Sequence, residues 1–491
     1  GSKNIQYGNY GLIASQTPVQ RTYVETKDLG KVGGPAIGDT VWIRGRVSSV
    51  RGKGNACFMV IRSGSFYTVQ ACHFKDKENA IESKALIKFV QGIALESIVD
   101  IEGVISEADV KSCSQKNVEI KIQKVFTVSR APSTLPFLLE DAARSESEIE
   151  ATADSDRPLV GVSQEHRLNN RWLDLRVPAN NAIMRVRSGI SLLFREALIE
   201  KGFVEINTPK LIAGESEGGS EVFRTDYFGK PACLAQSPQL YKQMAISADL
   251  EKVFEIGPVF RAEKSLTRRH LCEFTGLDLE MSIKFHYNEV LEVIHHLFRH
   301  IFNGLESRYA EELAVIRTQY PSEPVLFTDA PLVIHWPDAM QMLRDADHQV
   351  DDSADLSTSQ ELALGQLVKE KYHADFYALD EYPSTIRPFY TMPSAIDPTR
   401  SNSYDLFIRG QEICSGAQRC HDPVRIMSEK RILEKGLELG PLQSYIDSFK
   451  HGVSPHAGAG IGLDRVVFLY LGLDNVRKAS MFPRDPNRCT P

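Results

Sequence analysis

The sequence has no apolar run long enough to cross a bilayer. Its longest clean stretch, Val466 to Leu471, is far short of the ~20 residues a membrane helix needs. No N-terminal segment places basic residues ahead of an apolar run, so no secretory signal and no membrane partner are expected. There is no C-x-x-C pair. The eight cysteines (Cys57, Cys72, Cys113, Cys233, Cys272, Cys414, Cys420 and Cys489) stand at irregular separations. That argues against a zinc site and a disulfide framework, and reads as free thiols in a reducing, cytoplasmic compartment. A basic excess is also missing: 57 Lys and Arg against 64 Asp and Glu give a net charge of −7. A strongly basic nucleic-acid binder is not indicated, although a local basic surface on an acidic body remains open. No period of 20–50 residues recurs, which excludes a repeat architecture.

The 491 residues are 42% hydrophobic and 25% charged, ordinary values for a globular chain of about three domains at ~150 residues each. Residues 1–34 have weak periodicity and read as an N-terminal extension. From 35 to 130 the texture is all-β. Val41–Val47 alternates at period two, and Cys57–Arg62, Tyr67–His73, Ser97–Ile105 and Val118–Phe126 follow less cleanly. One helical stretch, Glu78–Val90, falls between the third and fourth strands. Five short strands with a helix after the third fit either an OB-fold barrel or a small β-sandwich. Residues 131–160 carry Pro132, Pro136 and Pro158 around an acidic Ala/Ser-rich run, which is hinge composition. Residues 161–491 read as one large α+β domain. The spacing predicts a helix over Asn181–Lys201, with Ile183, Val186, Ile190, Leu193, Phe194, Ala197 and Leu198 on one face. A short strand, Phe203–Ile206, then leads to Thr208-Pro209. A second long helix is predicted over Asn288–Ala314, and strands at 253–263, 271–283, 403–409 and 412–420.

Three stretches carry chemistry. In the first, alternation puts Arg261 and Glu263 on one strand face, and Phe274, Gly276, Asp278 and Glu280 together on the next strand. An aromatic plate, a cation, acids and a residue without a side chain suit a floor that stacks a planar base and holds an anion and an ammonium. The plainer reading is a solvated sheet face with cross-strand ion pairs. In the second, Gly458, Gly460 and Gly462 precede Arg465 at the start of a helix, where an anion is favoured. The pattern is G-x-G-x-G and no βαβ unit surrounds it, so a dinucleotide fingerprint is a poor reading. Tight helix–sheet packing is the alternative. In the third, Asp405 and Glu412 straddle Arg409-Gly410. If that pair turns a hairpin, the two acids share a face and suit Mg²⁺ held jointly with substrate phosphates, or form a surface pair with Arg409. Two weaker features are Glu292, His296 and His300 on one helical face, more simply solvated than metal-binding, and the Gly/Ser-rich loop 213–220, either a mobile lid or a turn.

Together these residues resemble a class II aminoacyl-tRNA synthetase, and within that class an aspartyl-tRNA synthetase of the eukaryotic or archaeal cytosolic type. The helix and strand ending at Thr208-Pro209 match the dimer-forming first motif. Phe260-Arg261-Ala262-Glu263 through His270 and Glu273-Phe274 to Asp278 match the second. Gly458 to Arg465 match the third. The resemblance covers about 35–491. It implies an N-terminal OB-fold anticodon-binding domain and a catalytic domain built on an antiparallel sheet flanked by helices. It leaves no room for the large insertion of bacterial aspartyl enzymes, and residues 1–34 do not resemble the family's long Lys-rich N-terminal extension.

The resemblance also implies roles. ATP is a substrate and Mg²⁺ a cofactor. Arg261 would hold the α-phosphate and Arg465 the γ-phosphate, making them the two catalytic cations. Phe274 would stack under adenine, Glu263 would bond its amino group, and His270 would complete the ATP site with Glu412. Asp405, Glu412 and Ser415 would hold the metal. L-aspartate would be gripped by Ser216, Glu217, Gln239, Lys242, Asp278, Ser415 and Arg419. Arg51, Phe58, Gln70 and Glu119 would read the anticodon of tRNA-Asp by stacking and edge contacts. Pro209 would lie at a homodimer interface. An asparaginyl or lysyl enzyme shares barrel and motifs, but the cations Lys242 and Arg419 suit a side-chain carboxylate and not an amide or ammonium. A catalytically inactive RNA-binding relative should lack Arg261, Arg465 or a metal acid, and all are present.

Overall fold

The structure is a computed structural model that describes residues 6–16, 18–216, 221–424 and 429–491. The chain divides into two compact units: residues 1–163 with 172–181, and residues 164–171 with 182–491.

The first unit is a closed five-stranded barrel. A short β1 (Tyr7–Asn9) precedes β2 (Thr40–Lys53), β3 (Ala56–Ser63), β4 (Tyr67–Phe74), β5 (Ile98–Glu107) and β6 (Val118–Ser129). β2 pairs with β3 and β5, β3 with β4, and β5 with β6, all antiparallel; β4 and β6 then pair in parallel and close the ring. Helix Ala80–Gln91 lies between β4 and β5. Alternation along the strands decides inside from outside. Met59, Ile61, Val69, Ala71, Ile120 and Ile122 are buried in the barrel core with Val47 and Ile101. Each of these side chains except the small Ala71 contributes ~1.5–3 kcal/mol by leaving water. The residues between them form the outer face. Of the two small β architectures the sequence allowed, this is the OB-fold. In the stretch after the barrel, helix Glu146–Ala151 starts at a capping box between Ser145 and Glu148.

The second unit is built on an eight-stranded sheet. Its strands are β7 (Val204–Glu205), β11 (Lys252–Phe260), β12 (Glu273–Ser282), β13 (Val333–His335), β14 (Phe376–Asp380), β15 (Ser403–Ile408), β16 (Gln411–Gln418) and β17 (His456–Gly462); β8 (Leu211–Ile212), β9 (Arg224–Tyr227) and β10 (Lys230–Leu234) form a separate small sheet. The order is β13-β14-β15-β16-β17-β12-β11-β7. The six central strands are antiparallel, and only the edge pairs β13–β14 and β7–β11 are parallel. The first long helix runs Pro178–Glu200. All seven residues assigned to its apolar face are buried, and Phe194 meets Phe254 of β11 edge to face at 5.8 Å. The second long helix is Asn288–Arg308, with a separate helix from Ala310 to Gln319. No helix among the described residues is long and apolar enough to cross a membrane. The cysteines are all free, and every one but Cys489 is buried.

Candidate active site

The site is assembled on β12, which sits between β11 and β17. Leu277, Leu279 and Met281 point into the core. The opposite set is Phe274, Gly276, Asp278 and Glu280. Facing them across the ladder, Gly276 is opposite Gly462, Asp278 opposite Gly460 and Glu280 opposite Gly458. A Cβ on Gly458 would overlap the Glu280 carboxylate, and one on Gly460 would lie 3.1 Å from Asp278 Oδ1. The glycines of the third motif therefore form a strand whose missing side chains leave room for two carboxylates. The sequence reading had allowed helix–sheet packing instead.

Those carboxylates hold two buried cations. Arg419 donates to both oxygens of Glu280, from Nε at 3.0 Å and from Nη2 at 3.3 Å. Lys242 Nζ lies 3.5 Å from Glu280 Oε2 and donates to Asp278 Oδ1 at 3.1 Å and to the Ala459 and Leu279 carbonyls at 3.1 and 3.4 Å. Burial alone would raise the Glu280 carboxyl; the charges of Arg419 and Lys242 outweigh it and hold it below its ordinary range. The two cations therefore already have anions of their own. Arg419 and Asp278 line the adjoining cavity. Lys242, 1% exposed, lies beneath the floor and is not among the lining residues.

The cavity holds about 530 Å³, in the range of small-molecule sites. Gln239, Arg261, Glu263, His270, Phe274, Glu412, Ser415 and Arg465 all line it. The β11–β12 ladder ends at Phe260 opposite Glu273. Arg261 and Glu263, predicted to lie on the strand, are thus past its end, in the connecting loop, although the Arg261 N–H still donates to the Cys272 carbonyl at 2.8 Å. This lets Arg261 come round to Phe274, its guanidinium carbon 5.6 Å from the ring centroid. In the same loop His270 bonds Thr267. Burial and the charge of Arg465 draw its imidazole below the ordinary value. Arg465 is the third residue of helix Leu463–Tyr470. It donates to the carbonyls of Glu412 at 3.1 Å and Arg269 at 3.4 Å. Its neighbour Asp464 accepts from Arg187 Nη1 at 2.7 Å and from the Thr275 N–H at 3.0 Å, tying all three motifs together.

The acid pair is on the β15–β16 hairpin. Arg409 and Gly410 both have positive φ, +53° and +73°, the combination that a tight hairpin turn with right-handed strand twist requires. Asp405 stands opposite Ser415, but the register shifts at Leu406/Phe407, leaving Ile413 without an opposite residue. Such a bulge reverses the alternation. It is what lets Glu412 and Ser415, three residues apart, both reach the cavity. Arg387 Nη1 donates to Asp405 Oδ1 at 2.9 Å and Ser415 Oγ at 3.0 Å. Burial and then the charge of Asp405 push the Glu412 carboxyl up to about 7. Two carboxylates and a hydroxyl are hard oxygen donors suited to Mg²⁺. They already attract a guanidinium, so the donor set fits that ion.

The sequence reading missed four charged residues here: Arg269, Asp355, Glu361 and Arg387 all line the cavity. Glu361, on helix Thr358–Tyr372, is pushed up to about 7 by burial and the charge of Glu412. It lies 3.5 Å from Arg269. Arg269 sits inside the second motif beside His270, whereas the segments of Asp355, Glu361 and Arg387 carry no motif and only the tertiary fold brings them in. Conversely, Asp405 and Ser216 are not among the lining residues. Ser216 is buried, with no partner for its hydroxyl among the described residues. Glu217 lies outside the described residues. On the Asn288–Arg308 helix, Glu292 and His296 are exposed and His300 lies 3.2 Å from Glu196. Among the described residues the single cluster with metal-like spacing is His335, Asp380 and Glu381, where His335 Nδ1 is already 2.6 Å from Asp380.

On the barrel, Phe58 is opposite Arg51 and Cys72, and Gln70 opposite Val60 and Glu119. All lie on the outer face. Phe58 is half-buried, edge-on to Phe74 at 5.6 Å. Gln70 donates to Glu119 at 2.8 Å.

Comparison with known proteins fits this geometry. Residues 163–486 match the family described as tRNA synthetases class II (D, K and N), and residues 41–128 match an OB-fold nucleic acid binding domain. The chain belongs to the class II tRNA synthetases. A cytoplasmic aspartate–tRNA ligase of Mus musculus is 50% identical over 99% of this synthetase and 95% of its own length. One from Caenorhabditis elegans is 49% identical over 99% and 90%. The solved aspartyl-tRNA synthetase of Entamoeba histolytica superposes with a TM-score of 0.90 at 44% identity, covering 99% of this synthetase and 96% of that chain.

Proposed function

We infer the following division of labour for this synthetase, a cytoplasmic aspartate–tRNA ligase. Its reaction activates aspartate with ATP, releasing pyrophosphate, and then passes the aspartyl group to the 3′ end of tRNA. The observation that carries the reading is one cavity lined by Phe274, Arg261, Arg465, Asp278 and Arg419. A plate, two phosphate-directed cations and an acid–cation pair are what an adenylate of a dicarboxylic amino acid needs.

ATP lies with adenine on Phe274 and its amino group toward Glu263, and His270 completes the wall. Arg261 takes the α-phosphate and Arg465 the γ-phosphate. Asp405, Glu412 and Ser415 would hold Mg²⁺, which when bound neutralises phosphate charge. Aspartate places its ammonium on Asp278 and Gln239 and its side-chain carboxylate on Arg419. Lys242 acts from below: its bonds to Asp278 and Glu280 fix both partners of the substrate. The substrate α-carboxylate attacks the α-phosphorus and pyrophosphate departs. No protein nucleophile is needed, and catalysis is positioning plus stabilisation of developing charge. Asparagine has the right shape but brings no anion to Arg419, and a site built on polar pairing rejects such an analogue by about 10⁴-fold.

Residues 35–130 bind the anticodon of tRNA-Asp through Arg51, Phe58, Gln70 and Glu119. Residues 131–160 form the hinge and 161–491 the catalytic domain. The enzyme is a homodimer that uses the Pro178–Glu200 helix and the stretch to Pro209. Exposed Leu192, Ile199, Val204 and Leu211 supply apolar surface there. Sedimentation should give twice 54.9 kDa, about 110 kDa. The decisive experiment is ATP–pyrophosphate exchange with each of the twenty amino acids. Exchange should appear with aspartate, and equal exchange with asparagine or lysine would overturn the assignment.

A further inference from the structure

Arg387 has no place in the reaction outlined above, yet it occupies the acid pair. Its side chain is 10% exposed and lines the cavity. One nitrogen, Nη1, serves both Asp405 and Ser415. The other two, Nε and Nη2, are buried with no hydrogen-bond partner among the described residues. The guanidinium carbon lies 3.8 Å from the centroid of the Tyr382 ring, itself buried against Trp336 at 4.8 Å. Buried guanidinium donors are rarely left idle, because each unmade bond costs desolvation energy. Two idle donors on a cation held against metal-type ligands therefore point to a side chain with a second set of partners.

We propose that Arg387 is an internal counter-cation for the metal carboxylates, which a divalent ion must displace from Asp405 and Ser415. The inference rests on the reading that Asp405, Glu412 and Ser415 hold the metal. Its physical basis is competition. Asp405 Oδ1 and Ser415 Oγ already accept from one guanidinium nitrogen, and a divalent ion needs lone pairs on the same atoms. A guanidinium left there would also repel the incoming charge. Meanwhile Asp405, Glu412 and Asp355 lie close enough to act on one another's charge, and like charges in a buried site need a cation at all times. Arg387 supplies it before the metal arrives. Once displaced, its unpaired donors are available to anionic oxygens in the cavity, and the phosphates of ATP are the anions this enzyme brings there. Metal and nucleotide binding are thereby coupled, and such coupling is reciprocal.

The test is Mn²⁺ binding to the ATP-free, full-length enzyme, read by electron paramagnetic resonance of free Mn²⁺. Arg387→Gln should tighten Mn²⁺ binding by about 10-fold or more, the effect of removing one competing charge. Arg387→Lys, which keeps the charge, should stay near the wild type. Equal or weaker binding by a folded Arg387→Gln overturns the inference. Asp405→Asn separates the two levels: it should abolish site-specific Mn²⁺ binding, and if it does not, the metal assignment and the inference fall together. If Asp405→Asn loses Mn²⁺ while Arg387→Gln gains nothing, only the inference falls. Should Arg387→Gln not fold, a crystal of the wild type soaked in Mn²⁺ decides. Metal on Asp405 with Arg387 turned away supports displacement, and metal on Asp405 with Arg387 still bonded to it refutes displacement.

Discussion

The synthetase cavity and the outer face of the barrel, the two surfaces proposed above for substrate recognition, are built in opposite ways. In the cavity, charges are buried and mutually dependent: Lys242 and Arg419 share Glu280, while Arg387 bridges Asp405 and Ser415. On the barrel, Phe58 and Glu119 are half exposed; Phe58 meets a ring edge, and Glu119 meets the Gln70 amide and the Cys72 thiol. A buried group cannot be removed without stranding its partner, whereas a half-exposed one is replaced by water. Cavity mutations should therefore damage folding and chemistry together, and barrel mutations should subtract affinity alone.

The largest separation should come from Glu280→Gln. Removing one member of a buried charge group costs ~3–5 kcal/mol because its partners stay charged and buried. The urea midpoint of the catalytic-domain transition should fall accordingly. A pH dependence goes with it. The folded-state pKa of Glu280 is lowered, so its stabilisation is present above the unfolded value of about 4.3 and is lost as pH falls through the folded one. The wild type should lose stability along that acid limb, and the variant should show a flatter one. A shift under ~1 kcal/mol would mean that the cavity charges are as solvated as those of the barrel.

Next in size is Arg465→Ala. Losing one charge-stabilising donor costs ~10²–10³ in rate. Pyrophosphate exchange should drop by that factor while binding of the anticodon stem is untouched. An equal drop in both would erase the distinction between the two regions.

How much of this was legible in the chain follows the same division. The barrel strands announce themselves by alternation, with the core residues Met59, Ile61, Val69 and Ala71 set between Phe58, Val60, Gln70 and Cys72 on the other face. β12 was legible because charged and apolar side chains alternate along it, although both of its faces are buried. β17 was not read as a strand: glycine has low strand propensity, and its three glycines are there for the carboxylates of β12. The strand assigned through Glu263 was too long because extended loop and ladder share one pattern. Arg269 stood inside the second motif without being singled out, and Asp355, Glu361 and Arg387 carried no signal at all. They come from a loop, a helix and two segments around them that meet only across the sheet.

Phe58→Ala tests the barrel half. One lost base stack should weaken tRNA binding by ~1–3 kcal/mol, measured by filter binding, with exchange in the absence of tRNA unchanged. Loss in both assays would make Phe58 a core residue.

The smallest expected effect is the most diagnostic of how the barrel reads. Gln70 donates to Glu119 at 2.8 Å, which leaves the remaining acceptor sites of that carboxylate for a base edge. Gln70→Ala frees Glu119 to rotate, so the cost should be that of one modest hydrogen bond, ~0.5–1.5 kcal/mol. Thermal stability should barely change, because the half-exposed Glu119 regains water, the outcome opposite to that of Glu280. The loss should also be selective. Binding of the cognate tRNA should weaken, while a tRNA with altered anticodon bases, which never used the oriented carboxylate, should bind as before. The ratio of the two affinities therefore shrinks by up to about tenfold, which is 1.4 kcal/mol. If both tRNAs weaken equally, Glu119 acts only through general shape, and the barrel stacks bases without reading their edges at this position.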